Sequence, residues 1–343
     1  MSENRWSAQL SSPRSGWPVV GSHGIIWKSL LLCGVLLVGS RPCTVVSADE
    51  KAQPSTKQSG PNKNTTWRLG YKFVPGQIVR LVVTHQMTMT TTKGPTSVTA
   101  VNTSTSDKHF RVIRVAPNGN AVLEPMIDRV RMQARIGETD PIKYDSRSSK
   151  SPPRPFSGVQ ETVGKALAQL TVTPSGELLS SKVLLPKRIT SAVTARQVPA
   201  TDDVSSRNFL VVLPTEQIGI GQSWQDRFKV RVRVTRTLTR DIEMLRKYSL
   251  KSVSRGIATI DLKTAVLTPV RDAGIRAQLI QRTPTGTIQF DIEKGLIVFR
   301  QLVVNETVIG PFGGDSSLRA KSTRTERIVE APSVAGKEKP SAN

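Results

Sequence analysis

Two unusually long runs with a period of two constrain this chain more than any other feature. From Ile78 to Thr90, Val79, Leu81, Val83, His85, Met87 and Met89 fall on one face, and Arg80, Thr84, Gln86, Thr88 and Thr90 on the other. From Trp224 to Val234, Phe228, Val230, Val232 and Val234 alternate with Arg227, Lys229, Arg231 and Arg233. Successive side chains of a strand point to opposite faces, whereas a helix gathers residues three and four apart, so both runs predict half-buried strands. A strand of thirteen residues is long, which implies a strongly curved sheet or partial barrel.

Turn chemistry punctuates the strands. Pro117-Asn118-Gly119-Asn120 and Arg255-Gly256 read as hairpin turns, where glycine supplies the positive φ that other residues resist. The punctuation recurs. Pro75-Gly76-Gln77 opens the first long run and Ile220-Gly221-Gln222 the second, 145 positions later, and at that offset the inward faces coincide. Phe110–Val115, Gly119 and Ala121–Val130 then resemble Tyr248–Val253, Gly256 and Ile257–Val266. Gln169–Val183, turning at Ser175-Gly176, resembles Thr287–Val304, turning at Lys294-Gly295.

An extra stretch, Gly137–Lys165, shortens the offset to 119; it carries a Ser/Pro-rich loop (Ser146–Pro155) and a short helix candidate, Ser157–Leu167. The expectation is a mostly β protein of two similar curved antiparallel sheets, half-barrel-like halves at 67–200 and 201–330, with one short helix in the first. Whether the halves share one sheet is left open by the pattern.

The flanks are different in kind. Leu30–Val38 is a nine-residue apolar run preceded by Arg5, Arg14 and Lys28 and followed by Val46-Ser47-Ala48, the layout of a secretory signal cleaved before Asp49. Nine residues are too few to cross about 30 Å of hydrocarbon as a helix, so no integral span is expected in the mature form. Residues 49–66 read as a flexible linker and 331–343 as a disordered tail, both being polar and almost free of apolar side chains. Both cysteines, Cys33 and Cys43, fall within the leader, which removes thiol chemistry and disulfides from the processed chain. An extracytoplasmic, periplasmic or secreted location follows as the expectation.

Processing leaves 45 basic against 25 acidic residues, a net charge of +20. So basic a chain invites a nucleic-acid reading, but export and the lack of any recognisable nucleic-acid-binding motif turn the expectation to anionic envelope polymers or lipid headgroups. The charge concentrates in one place. Between Asp226 and Arg255 ten basic residues face three acids, and Arg227, Lys229, Arg231 and Arg233, continued by Arg236, form a row with alternate spacing that could meet a regularly spaced anion. The competing reading is a charged strand that deters edge pairing.

Catalytic patterns are thin. His85, Met87 and Met89 on one strand face could offer nitrogen and sulfur to Cu(I), yet sulfur residues facing inward are usually packing, and Val230, Val232 and Val234 stand at the matching positions. His109 reads as a surface residue at a strand start. No Gly-x-Ser-x-Gly elbow is present, and Glu124, Asp128, Asp140, Asp145, Asp261 and Asp291 are acids without context for paired carboxylate chemistry. No cofactor or metal is expected, and no enzymatic activity.

The most specific string is Leu213-Pro214-Thr215-Glu216-Gln217-Ile218-Gly219-Ile220-Gly221-Gln222-Ser223-Trp224. It resembles the Pro, Val, Gly-Asp-x-Trp opening of the second half in a family of exported bacterial proteins without assigned function, frequent in planctomycetes; Gln222 stands where that family has Asp. Tyr71–Gln77 is similar to the family's Lys-Phe before Pro-Gly, and Gly286–Asp291 to its closing Gly-x-Ile-x-Phe-Asp. The resemblance implies a β-rich fold and carries no catalytic residue. The functional expectation is a non-enzymatic envelope protein. Its apolar faces (Val83, Met87, Met89, Phe228, Val230, Val232) would hold an acyl chain or simply pack, and its basic row would meet an anionic surface. The alternatives are an interaction module without small ligand and, below it, a hydrolase.

Overall fold

The computed structural model describes residues 65–149, 151–184, 209–235 and 237–329. The leader, most of the linker, Arg236 and the tail lie outside the described residues. The strands are β1 (Thr66–Trp67), β2 (Ile78–Lys93), β3 (Thr96–Val115), β4 (Ala121–Ile136), β5 (Ile142–Asp145), β6 (Ala168–Val172) and β7 (Leu178–Val183). They continue as β8 (Ile218–Gly219), β9 (Ser223–Arg233), β10 (Thr239–Ser254), β11 (Ile257–Val266), β12 (Thr285–Asp291), β13 (Leu296–Ile309) and β14 (Ser316–Val329). Twelve of them build one antiparallel sheet in the order β7-β6-β4-β3-β2-β14-β13-β12-β11-β10-β9, with β5 beside β4. The chain is therefore mostly β, and because β7 and β9 remain edges the sheet does not close into a barrel.

Two meanders meet in this sheet, one running β2 to β7 and the other β9 to β14. Their junction is β2 against β14, in continuous register from Lys93 opposite Ser316 to Arg80 opposite Val329. The halves thus form one sheet.

Each meander opens with the same hydrogen-bonded turn. Gly76 N–H donates to Val112 O (2.8 Å) and Val112 N–H to Gln77 O (2.9 Å); Gly221 N–H donates to Leu250 O (2.8 Å) and Leu250 N–H to Gln222 O (3.0 Å). The glutamine side chains repeat the match, Gln77 Oε1 accepting from Val74 N–H (3.3 Å) and Gln222 Oε1 from Gly219 N–H (2.7 Å). Gly76 and Gly221 have φ of 80° and 87°, a region that costs a residue with a Cβ about 1 kcal/mol. The β10–β11 turn is tighter still, with Arg255 (φ 49°) and Gly256 (φ 75°) both left-handed, as a two-residue hairpin demands.

Helical structure departs from the expectation in placement. Residues 157–167 do not form one helix; single 3₁₀ turns stand at Arg154–Phe156 and Gln160–Thr162, separated by Gly158 and followed by Gly164, both at positive φ (91° and 72°). The α-helix, α1 (Ala273–Leu279), lies in the second half, where the Asp272 carboxylate caps it by accepting from Ile275 N–H (2.8 Å). Its buried residues Ile275 and Leu279, four apart, face the sheet.

The sheet curls around one main core. Val79, Phe110, Val112, Leu123, Leu170 and Val172 from the first meander join Tyr248, Leu250, Ile260, Ile288 and Phe290 from the second. Two connecting segments plug the space between: Leu69, Tyr71 and Phe73 before β2, and Leu210, Val211 and Leu213 before β8. Tyr71 stacks on Phe73 and meets the edge of Phe290, and its hydroxyl both donates to Val211 O (3.0 Å) and accepts from Val211 N–H (3.1 Å). Tyr71→Phe should therefore lower stability by about 1–3 kcal/mol, because both backbone groups of a buried residue lose their partner. Chemical denaturation of the two proteins checks this.

Candidate functional site above the core

Antiparallel register puts paired residues on one face, so the inner surface can be read in rows. The lowest row beyond the core is Ile328, Leu81, Lys108 and Ile127, across β14, β2, β3 and β4. The next is Arg300 of β13, Glu326, Val83, Ser106 and Val130; above it come Leu302, Arg324, His85, Ser104 and Met132, then Val304, Ser322, Met87, Asn102 and Ala134. β4 keeps its apolar residues inside only because a bulge at Asp107 and Lys108 inserts Asp128 and shifts the parity from Leu123 and Ile127 to Val130 and Met132.

A charged cluster sits where the apolar core gives way. Arg300 is 8% exposed, and its Nε donates to Glu326 Oε2 at 2.8 Å, with Nη2 on the same oxygen. The other carboxylate oxygen accepts from Arg324. Burial alone would raise the Glu326 carboxyl, but Arg300 and then Arg324 outweigh it and hold it at about 2. Lys108 makes no hydrogen bond or ion pair among the described residues; burial, then Arg324, bring its ammonium down to about 8 against the pull of Glu326. Burial and then Arg324 also lower His85.

The distal wall has two characters. On the second meander it is filled: Phe228, Val230, Val232, Ile242 and Met244 pack under Ile275 and Leu279 of α1. Phe228, Val230 and Val232, expected as an apolar face open to a ligand or packed, are packed, each at most 6% exposed. On the first meander, Val83 is buried, while Met87 and Met89 are half-buried beside Gln281, whose Nε2 donates to Met87 Sδ (2.8 Å) and approaches Met89 Sδ (3.5 Å); Met89 also packs against Ile280, Val308 and Ala320. Ala100, Asn102, Ser104 and Ser106 of β3 and Met132 of β4 complete a half-buried wall of small and thioether side chains. Among elements of the described residues, β3 packs extensively only on β2 and β4.

The basic row lies on β9, the sheet's edge, and points outward. Arg231 donates to Asp241 (2.9 Å) and Arg227 lies 3.6 Å from Glu243, so two of the four described members are paired with carboxylates of β10; Lys229 and Arg233 are exposed. An edge strand studded with charge is what keeps a sheet from pairing with another chain. His109 lies well inside β3, half-buried, with Nδ1 2.8 Å from the Asp128 carboxylate. His85 is paired across the sheet with the cation Arg324, a poor neighbour for a metal ligand. Among the described residues, no three His, Cys, Asp or Glu side chains gather as a metal site.

Comparison with known proteins adds little to this geometry. The model of a family of unknown function, DUF6263, matches residues 204–297, which include the Leu213–Trp224 and Gly286–Asp291 strings. No curated protein matches the chain. Among solved structures, it is similar to lipovitellin, in a structure of its lipid–protein interactions, at a TM-score of 0.44 and 12% identity. That alignment covers 78% of this chain and 26% of lipovitellin's, so the chain spans about a quarter of that protein. It is also similar to DynF, from the dynemicin biosynthesis pathway of Micromonospora chersina (TM-score 0.20, 6% identity, 82% and 94% covered). A DUF1329 family protein from Desulfovibrio piger aligns at a TM-score of 0.13 and 10% identity, with 75% and 87% covered. Scores this low carry no functional argument. No helix among the described residues is long and apolar enough to cross a membrane.

Proposed function

We propose that this is an exported, non-enzymatic envelope protein that holds an apolar or amphipathic envelope ligand on the inner face of its curved sheet. The observation that supports it is the half-buried wall of Met87, Met89, Ala100, Asn102, Ser104 and Met132. Methionine on such a wall adapts to irregular apolar shapes, and small residues beside it leave room for a chain. The leader supports export. The packed layer of Phe228, Val230 and Val232 under α1 supports the second reading, a scaffold whose apolar faces serve only its own core.

Native mass spectrometry with lipid extraction, on the processed chain from an envelope fraction, separates the two. A stoichiometric co-purifying apolar ligand is the expected result. A clean unliganded mass with nothing extractable would overturn ligand holding and leave the scaffold.

A further inference from the structure

Lys108 is an expensive residue in its position. Its neighbours in the row are Leu81 and Ile127, and no described carboxylate lies within ion-pairing distance of its ammonium. Burying a charge without a partner costs several kcal/mol, a cost that Leu or Met at the same position would avoid. Around it, Arg300 and Arg324 both hold the Glu326 carboxylate. Arg324 is 44% exposed and spends one described bond on Glu326, which leaves guanidinium donors for a second anion. The side chains of Asn102, Ser104 and Ser106, on the same wall, have no described hydrogen bonds and can donate as well.

We propose that Lys108 and Arg324 seat the phosphate of a single-chain amphiphile whose acyl chain runs over Met87 and Met132. This rests on the ligand-holding reading above and names the charged end of the ligand. A phosphate monoester carries about −1.5 to −2 near neutral pH, enough to pair with both Lys108 and Arg324. Lys108 supplies a point charge and Arg324 a planar fork, the two ways in which phosphate oxygens are usually held. The third row, with Arg324, His85, Ser104 and Met132, changes from cation to thioether across four strands, the order in which a head group and its chain would be met.

The test measures binding of 1-oleoyl lysophosphatidate, 1-oleoylglycerol and inorganic phosphate to the full chain, and to Lys108→Gln, Lys108→Met and Arg324→Gln. The intact protein should prefer the lysophosphatidate over the glycerol ester by about tenfold or more, as charge-assisted hydrogen bonds to phosphate imply. Each variant should bring the two esters close together while still binding the glycerol ester. Lys108→Met should keep or raise the melting temperature, because it removes an unpaired buried charge.

Equal affinity of the intact protein for the two esters would overturn the phosphate seat and leave apolar binding standing. Binding of neither ester would overturn both. Lys108-dependent binding of inorganic phosphate alone would overturn the lipid source, and a large fall in melting temperature for Lys108→Met would show that the lysine is structural.

Discussion

Glu326→Gln is expected to lower the stability of the protein by about 3–5 kcal/mol, because it removes the carboxylate that pairs with the buried Arg300. The loss should be far larger than for either ion pair of the outer edge, since surface pairs contribute about 0–1 kcal/mol. The same carboxylate gives the wild type an acid-sensitive term. Its folded value is about 2, below the ordinary 4.5, so its contribution is fully present above about pH 4.5 and is lost as the pH falls towards 2. Chemical denaturation at pH 7 and pH 3 should therefore show the gap between wild type and Glu326→Gln shrinking in acid. A gap that is small at pH 7, or constant with pH, would mean that Arg300 finds other compensation.

The second large effect belongs to Gly176, at the tip of the β6–β7 hairpin. Its φ is 84°, and a Cβ there would stand 2.5 Å from both Tyr71 Cε2 and Val211 O. Neither can yield easily, since one is a stacked ring and the other is backbone on a buried segment. Backbone strain and overpacking together predict a loss of about 2–4 kcal/mol for Gly176→Ala. Gly76→Ala is the control: φ is 80°, but nothing lies within 4 Å of the added atom, so only about 1 kcal/mol of strain should appear. Urea midpoints of the two variants check the pair, and similar losses would show that the contact at the hairpin tip is unimportant.

Local chemistry carried much of the architecture. The alternation around Val79 and Phe228, the turns at Gly119 and Gly256, and the paired openings at Gly76 and Gly221 are written within a few residues of where they act, and all appear as strands or turns. Helix α1 was missed, although Asp272 before Ile275 and Leu279 is a capped, four-apart pattern; seven residues inside a β meander give too few repeats to stand out.

The charged cluster was hidden for a different reason. Arg300, Arg324 and Glu326 look like ordinary polar positions until β13, β14 and β2 are laid side by side, and no local signal announces that pairing. Lys108 is hidden twice, because the bulge beside it breaks the alternation of β4 that would have shown its face to be internal. The basic row of β9 was easy to see, yet its place at an edge and its pairing with Asp241 and Glu243 depend on which strands end the sheet.

The junction of β2 with β14 sets an order in time. Leu81 pairs with Ile328, 247 residues later, so a chain made or threaded from its N-terminus exposes the β2 edge until almost everything else has emerged. Contacts so distant in sequence close slowly, since the intervening loop entropy is lost before any pairing compensates it. A chain shortened before Ser316 would lose the strand pairing that makes the two meanders one sheet.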